Sequence, residues 1–164
     1  MALDIRMFGD PVLKTHAAPV ESFDGSLAHL AEEMLLTMRD HEGVGLAANQ
    51  VGRLKRILVA AVEDERFVLV NPVIEEAADT TEHALEGCLS IPEVQVEVER
   101  PAGVTISAQD TSGAPLRIEA SGLLARVFQH EIDHLDGVLI LDRTDRESRK
   151  AAMRELRERL LAQS

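Results

Sequence analysis

The strongest chemical signal in the chain is a run of five residues, His130-Glu131-Ile132-Asp133-His134. In a helix, residues four apart share a face, so both imidazoles can reach one ion. Glu131 can face the same centre without binding the ion. This arrangement suits metal-assisted hydrolysis, in which the ion acidifies a water molecule and the carboxylate moves its proton. The plain alternative is two surface histidines at accidental spacing, and the motif's place in an amphipathic helical stretch weighs against it.

Two histidines leave such a site short of a ligand. No histidine follows His134. Asp136, Asp142 and Asp145 come early and look solvent-facing, while Glu147, Glu155 and Glu158 suit a solvated helix face. Upstream, Cys88 is the candidate, because a thiolate binds divalent transition metals well. A lone cysteine is more often a small buried core residue. Its setting, Glu86-Gly87-Cys88-Leu89-Ser90, favours the ligand: Gly87 lets backbone approach closely, and Pro92 is expected to end the strand pattern soon after. A third feature is GVGLAANQ at residues 43–50. Its small residues leave room for a second backbone, although a tight helix-to-strand turn would explain them equally well. Gln50 is the residue there with chemistry to offer, since its amide can donate to an oxyanion.

Positioning these groups requires a framework that the hydrophobic pattern outlines. Leu27, Leu30, Ala31, Met34, Leu35 and Met38 recur at helical spacing over residues 24–41, with Asp24 or Ser26 as N-cap and Gly43 and Gly45 as the stop. From residue 55 to 119 the pattern is β. Apolar runs at 56–62 and 67–70 flank Glu63-Asp64-Glu65 as a hairpin, and Val94, Val96 and Val98 alternate with polar residues. Residues 110–113 form a turn between strands at 104–109 and 115–119. A second helix runs from near Ser121 to just before Gly137, with Leu123, Leu124, Val127, Phe128, Ile132 and Leu135 as its apolar face. A third covers about 145–161, with Ala151, Met153, Leu156, Leu160 and Leu161 on one side. The expected fold is α+β: antiparallel sheets packed around a central H-E-x-x-H helix, with an N-terminal and a C-terminal helix, in one domain over residues 1–164.

Composition narrows the class of function. The 164 residues carry 29 acidic and 17 basic side chains, a net charge of −12, which argues against a nucleic-acid (DNA included) or membrane-surface protein as a whole. Four Phe and no Tyr or Trp leave little for base stacking. One cysteine makes no internal disulfide, no signal peptide is visible, and no apolar run approaches the roughly 20 residues of a membrane span. A reducing cytoplasm is the expected location.

GVGLAANQ at 43–50, EGCLS at 86–90 and QHEIDHLDG at 129–137 stand together in order and spacing. Together they resemble peptide deformylase over nearly the whole chain, residues 5 to 143, and no metal or catalytic position departs from the pattern. The resemblance implies that Cys88, His130 and His134 bind one divalent ion, with Fe²⁺ expected and Zn²⁺, Ni²⁺ or Co²⁺ as substitutes. It implies Glu131 as general acid–base, with Gln50 and the backbone N–H of Leu89 as the oxyanion hole. Gly45 would pair with the substrate backbone. Val44, Leu123 and Val127, with the His130 ring, would line a methionine pocket. The reaction would be removal of formate from the N-formylmethionine of nascent peptides in a bacterial cytoplasm.

Two positions differ from similar enzymes. Gln95 stands near where an arginine often helps hold the peptide, and Arg126, one helical turn before His130, would either replace a pocket-lining aliphatic seen in relatives or point to solvent. Arg126 is expected to point to solvent, since Arg is seldom buried unpaired. Residues 143–164 hold seven basic and four acidic side chains. This basic tail, of a kind some deformylases have, would either dock on ribosomal RNA or form a solvated helix with pairs such as Glu155–Arg159. Two other functions fit parts of the pattern. The missing downstream ligand and Cys88 count against a metallopeptidase of another class. Glu131 and Gln50 count against a non-catalytic domain with a structural metal.

Overall fold

The computed structural model describes residues 2–162; residues 1, 163 and 164 of the expected domain lie outside them. The described residues form α1 (Gly25–Asp40), β1 (Gly45–Ala47), β2 (Ile57–Val62), β3 (Glu65–Ala77), β4 (Thr81–Cys88), β5 (Ile91–Pro101), β6 (Gly103–Gln109), β7 (Pro115–Ser121), α2 (Gly122–Leu135), α3 (Ile140–Arg143) and α4 (Arg146–Ala162). Five strands make an antiparallel sheet in the order β1-β2-β3-β6-β7, and β4 with β5 make a separate antiparallel ribbon.

Asp24 caps α1 by accepting from the N–H groups of Ser26 and Leu27. The expected apolar face is buried against Leu46, Ile57, Val59 and Val70 of the sheet. The helix does not end on the glycines. It stops at Asp40, and the left-handed residue beyond is Glu42, with φ 55°. Gly43 is small for packing instead: a Cβ there would stand 2.8 Å from Leu89 Cδ1. The expected β2–β3 hairpin turns on Glu63 and Asp64, both at positive φ (52° and 66°). That mirror-image turn matches the right-handed twist of the strands.

The ribbon differs from expectation. β4 has no clean alternation, with most of its side chains exposed, and the sequence pattern did not reveal it. Pro92 does not end the strand. It lies within β5, where the register shifts from Gly87↔Gln95 to Cys88↔Ile91 and Glu93 takes φ 63°. The irregularity leaves Pro92 outside the regular ladder, where its missing N–H costs nothing.

α2 is the central helix. Ala125, Phe128, Ile132 and Leu135 pack on Leu58, Ala60, Leu69 and Ile106 of the sheet, with Phe128 edge-on to Phe67 at 5.3 Å. The ribbon buries Gln129, Asp133 and His134 on the other side of α2, and β1 covers Glu131 beside Gly45. α4 rests Ala152 and Leu156 on Val94, Val96, Val98, Ile140 and Leu141. The expected stripe on this helix is corrected: Ala151, Leu160 and Leu161 are exposed, while Ala152 and Leu156 face the core. No described helix is long and apolar enough to cross a membrane.

Candidate active site

α2 presents His130, Glu131 and His134 towards the end of β4, where Cys88 sits. The donor atoms of Cys88, His130 and His134 all lie within 4.8 Å of one another. His130 Nε2 and His134 Nε2 are 3.1 Å apart, and His134 Nε2 is 3.3 Å from Cys88 Sγ. Ligands placed around one ion at ordinary Zn–N and Zn–S distances would stand roughly 3.4–3.7 Å apart in a tetrahedron, so these atoms are nearly in position. Two imidazoles at this distance cannot both carry charge. Burial opposes the charged form of His130, but Glu131, Cys88 and Glu86 outweigh it and raise its pKa well above the ordinary value. Burial, with the charges of His130 and Arg100, pushes His134 well below. One thiol and two imidazoles converging in this way fit a shared divalent cation.

Glu86 orients His130. One of its oxygens accepts from His130 Nδ1 at 3.0 Å, which leaves Nε2 facing the centre. The same carboxylate takes Arg100 through Nε at 2.6 Å and Nη2 at 2.9 Å, and Arg126 through Nη1 at 2.7 Å. Burial works against its charge, yet the hydrogen bonds from His130 and Arg100 bring its pKa down to about 2. Arg100 also reaches Asp133, which Arg143 holds from the other side. Glu86, Arg100, Asp133 and Ser90 are site residues that sequence reasoning missed. The sequence offered only a buried-phase position for Arg100, in register with Val94, Val96 and Val98.

Arg126 does not point to solvent. Its side chain is 12% exposed, and besides Glu86 it donates to the carbonyls of Val98 and Glu82. Arg100 and Arg126 share one carboxylate, which is why an arginine is tolerated on the inner face of α2. Gln95 is exposed on β5 beside Gly87 and does not line the main cavity.

Glu131 is buried, with Oε1 lacking any partner among the described residues. Burial raises its pKa to about 7, against the lowering pull of His130 and Arg100. Such a carboxyl can both take and return a proton near neutrality. Gly45 makes room for it: a Cβ there would stand 2.6 Å from Glu131 Oε2 and 2.8 Å from Val127 Cγ1. Gln50 follows β1 in a 3-10 turn, and its Nε2 lies 3.5 Å from Cys88 Sγ.

A cavity of about 890 Å³ opens over these groups. Val44, Gly45, Gln50, Cys88, Leu89, Leu123, Val127, His130 and Glu131 line it, so of the expected site residues only His134 stands behind its wall. Val44 and Leu123 lie at the mouth, each about half exposed. Ile5, Met7 and Leu85, which the sequence did not single out, complete an apolar rim.

A family model described as polypeptide deformylase matches residues 2–150. The chain belongs to the polypeptide deformylase family. It is 51% identical to peptide deformylase 1 of Corynebacterium efficiens over 158 residues, 94% of each chain. The solved peptide deformylase of Thermotoga maritima is 48% identical with a TM-score of 0.87, covering 88% of this chain and 99% of that one. That of Legionella pneumophila superposes with a TM-score of 0.92 at 40% identity, over 100% and 99% of the two chains. Deformylases are metal-dependent hydrolases of protein biosynthesis, and among the described residues the Cys88–His130–His134 cluster is a group that could hold the ion.

Proposed function

We propose that the chain releases formate from N-formylmethionyl peptides with Cys88, His130 and His134 as metal ligands, Glu131 as acid–base, and Gln50 and the Leu89 N–H as oxyanion donors. One observation carries the assignment: the three-ligand cluster lies open to a cavity, beside a buried carboxyl with an unpartnered oxygen. A closed structural site needs neither the opening nor the carboxyl.

The substrate is expected to lie along β1. That strand is an edge of the five-stranded sheet and, among the described residues, pairs only with β2, so its free side can take an extended peptide backbone at Gly45. The methionine side chain then enters between Val44, Leu123 and Val127, against the His130 ring. This placement brings the formyl group to the cluster. When bound, the metal supplies an acidified water and polarises the formyl oxygen. Glu131 takes the proton from that water and returns it to the departing amine. Gln50 and Leu89 donate to the oxygen that gains charge. Fe²⁺ is the expected ion, and the thiolate–imidazole set also suits Zn²⁺, Ni²⁺ and Co²⁺.

The chain is expected to act as one catalytic unit in the bacterial cytoplasm, with α4 as its contact to the ribosome. Arg146, Arg149, Lys150, Arg154 and Arg157 line a shallow groove on α4 with Met153. Arg149 is bound to Asp142; the other four have no acidic partner among the described residues. Arg143 and Arg159 are engaged with Asp133 and with Glu93 and Glu155, so they contribute less to that face. Reversing charge at Lys150, Arg154 and Arg157 should abolish a salt-dependent cosedimentation with ribosomes; unchanged binding would remove the idea.

For the reaction itself, matched peptides bearing N-formyl, N-acetyl or free N-termini separate the readings. Formate from the first alone, with internal amides intact, is expected. Cleavage within the chain would indicate a peptidase.

A further inference from the structure

Gln50 can serve as an oxyanion donor only if its amide plane is fixed. Its Oε1 accepts from Ala47 N–H at 3.0 Å, which settles which end of the amide is oxygen. One acceptor bond still leaves the plane free to turn, because a carbonyl accepts over a broad range of angles. A second anchor is present. Gln50 Nε2 donates to Ser90 Oγ at 3.1 Å, and both side chains are essentially excluded from solvent. The two hydrogens of an amide nitrogen lie in one plane, about 120° apart. Holding one on Ser90 therefore directs the other to the side where Cys88 Sγ lies, 3.5 Å away.

The backbones of the two residues are also pinned together. Arg6 N–H donates to Gln50 O at 2.7 Å and Phe8 N–H to Ser90 O at 2.8 Å. One short N-terminal segment thus sets the spacing between the turn after β1 and the turn after β4.

From this we infer that Ser90 is a positioning residue, whose hydroxyl fixes the plane of the Gln50 amide so that its other N–H, which faces Cys88 Sγ here, is aimed at the oxygen that becomes charged. This rests on the proposed role of Gln50. Ser90→Ala is expected to lower kcat and kcat/KM about tenfold together, less than the roughly 10²–10³-fold loss on removing an oxyanion donor outright. KM, metal content and secondary structure should stay near those of the parent.

The deciding measurement is a double-mutant cycle on formate release, with Gln50→Ala as the second variant. If Ser90 acts through Gln50, Ser90→Ala costs less than twofold in the Gln50→Ala background. Equal losses in both backgrounds, or no loss in the parent background, would overturn the inference. Ser90→Cys keeps the volume and weakens the acceptor, and takes the place of Ser90→Ala in the same cycle if that variant does not fold. A parent that releases no formate would count against the deformylase assignment and not against this pairing.

Discussion

At the scale of single residues, the centre depends on what is absent as much as on what is present. Gly45 has no Cβ because Glu131 and Val127 occupy that space. Gly45→Ala should destabilise the fold by about 1–3 kcal/mol through overpacking and lower kcat as the carboxyl is displaced, measured by denaturant unfolding and formate release. The three motifs were legible in the sequence because their chemistry is local: His130 and His134 meet by helix period alone. Glu86, Arg100 and Arg126 were not, because their partners lie 14 to 44 residues away in the chain. A charged side chain on a strand or helix is usually solvated, and nothing near Arg126 in the sequence marks Glu86 as its counterion.

At the scale of elements, the site is a junction of α2 with the β4–β5 ribbon, and Arg126 braces it through Glu82, Glu86 and Val98. Glu86 keeps Arg100 when Arg126 is lost, so Arg126→Ala should cost about 1.5–3 kcal/mol. Arg100→Ala takes charged hydrogen bonds from two buried carboxylates at once, leaving Glu86 with Arg126 and His130 and Asp133 with Arg143, and should cost more, about 3–5 kcal/mol. Chemical denaturation of the two variants checks that order. The helices and the β2–β3 hairpin were readable from periodicity and turn residues. β4 was not, because its side chains are mostly exposed and show no alternation. The end of α1 was misread because glycines that make room for Leu89 and Glu131 look like helix stops.

Across the whole molecule, distant segments are tied by charge and by the expected metal. Asp142 on α3 binds Lys14 near the N-terminus and Arg149 on α4. Burial opposes its ionisation, but Lys14, the Leu139 N–H and Arg149 hold its pKa below the ordinary 3.8. A depressed carboxyl stabilises the fold above its unfolded pKa and loses that contribution as pH falls through its folded pKa. Asp142→Asn should therefore be less stable than the parent at neutral pH. The gap should begin to close near pH 4 and vanish in stronger acid, as urea unfolding across that range would show. Chelating the expected metal would remove one tie between the ribbon and α2 and leave those of Arg126, Arg100 and His130 in place. At an ion concentration 100-fold above Kd, binding contributes about 2.7 kcal/mol, so removal should lower Tm by ~5–10 °C.

The most direct test of the account compares the parent with Glu131→Gln, both prepared without oxygen and loaded with the same ion. Formate release from an N-formylmethionyl peptide and metal content are measured on the same samples. The geometry predicts full metal occupancy in both, rapid release by the parent, and a loss of about 10²-fold or more in the variant. Release at the parent rate by metal-loaded Glu131→Gln, or none from a correctly filled parent, would contradict it.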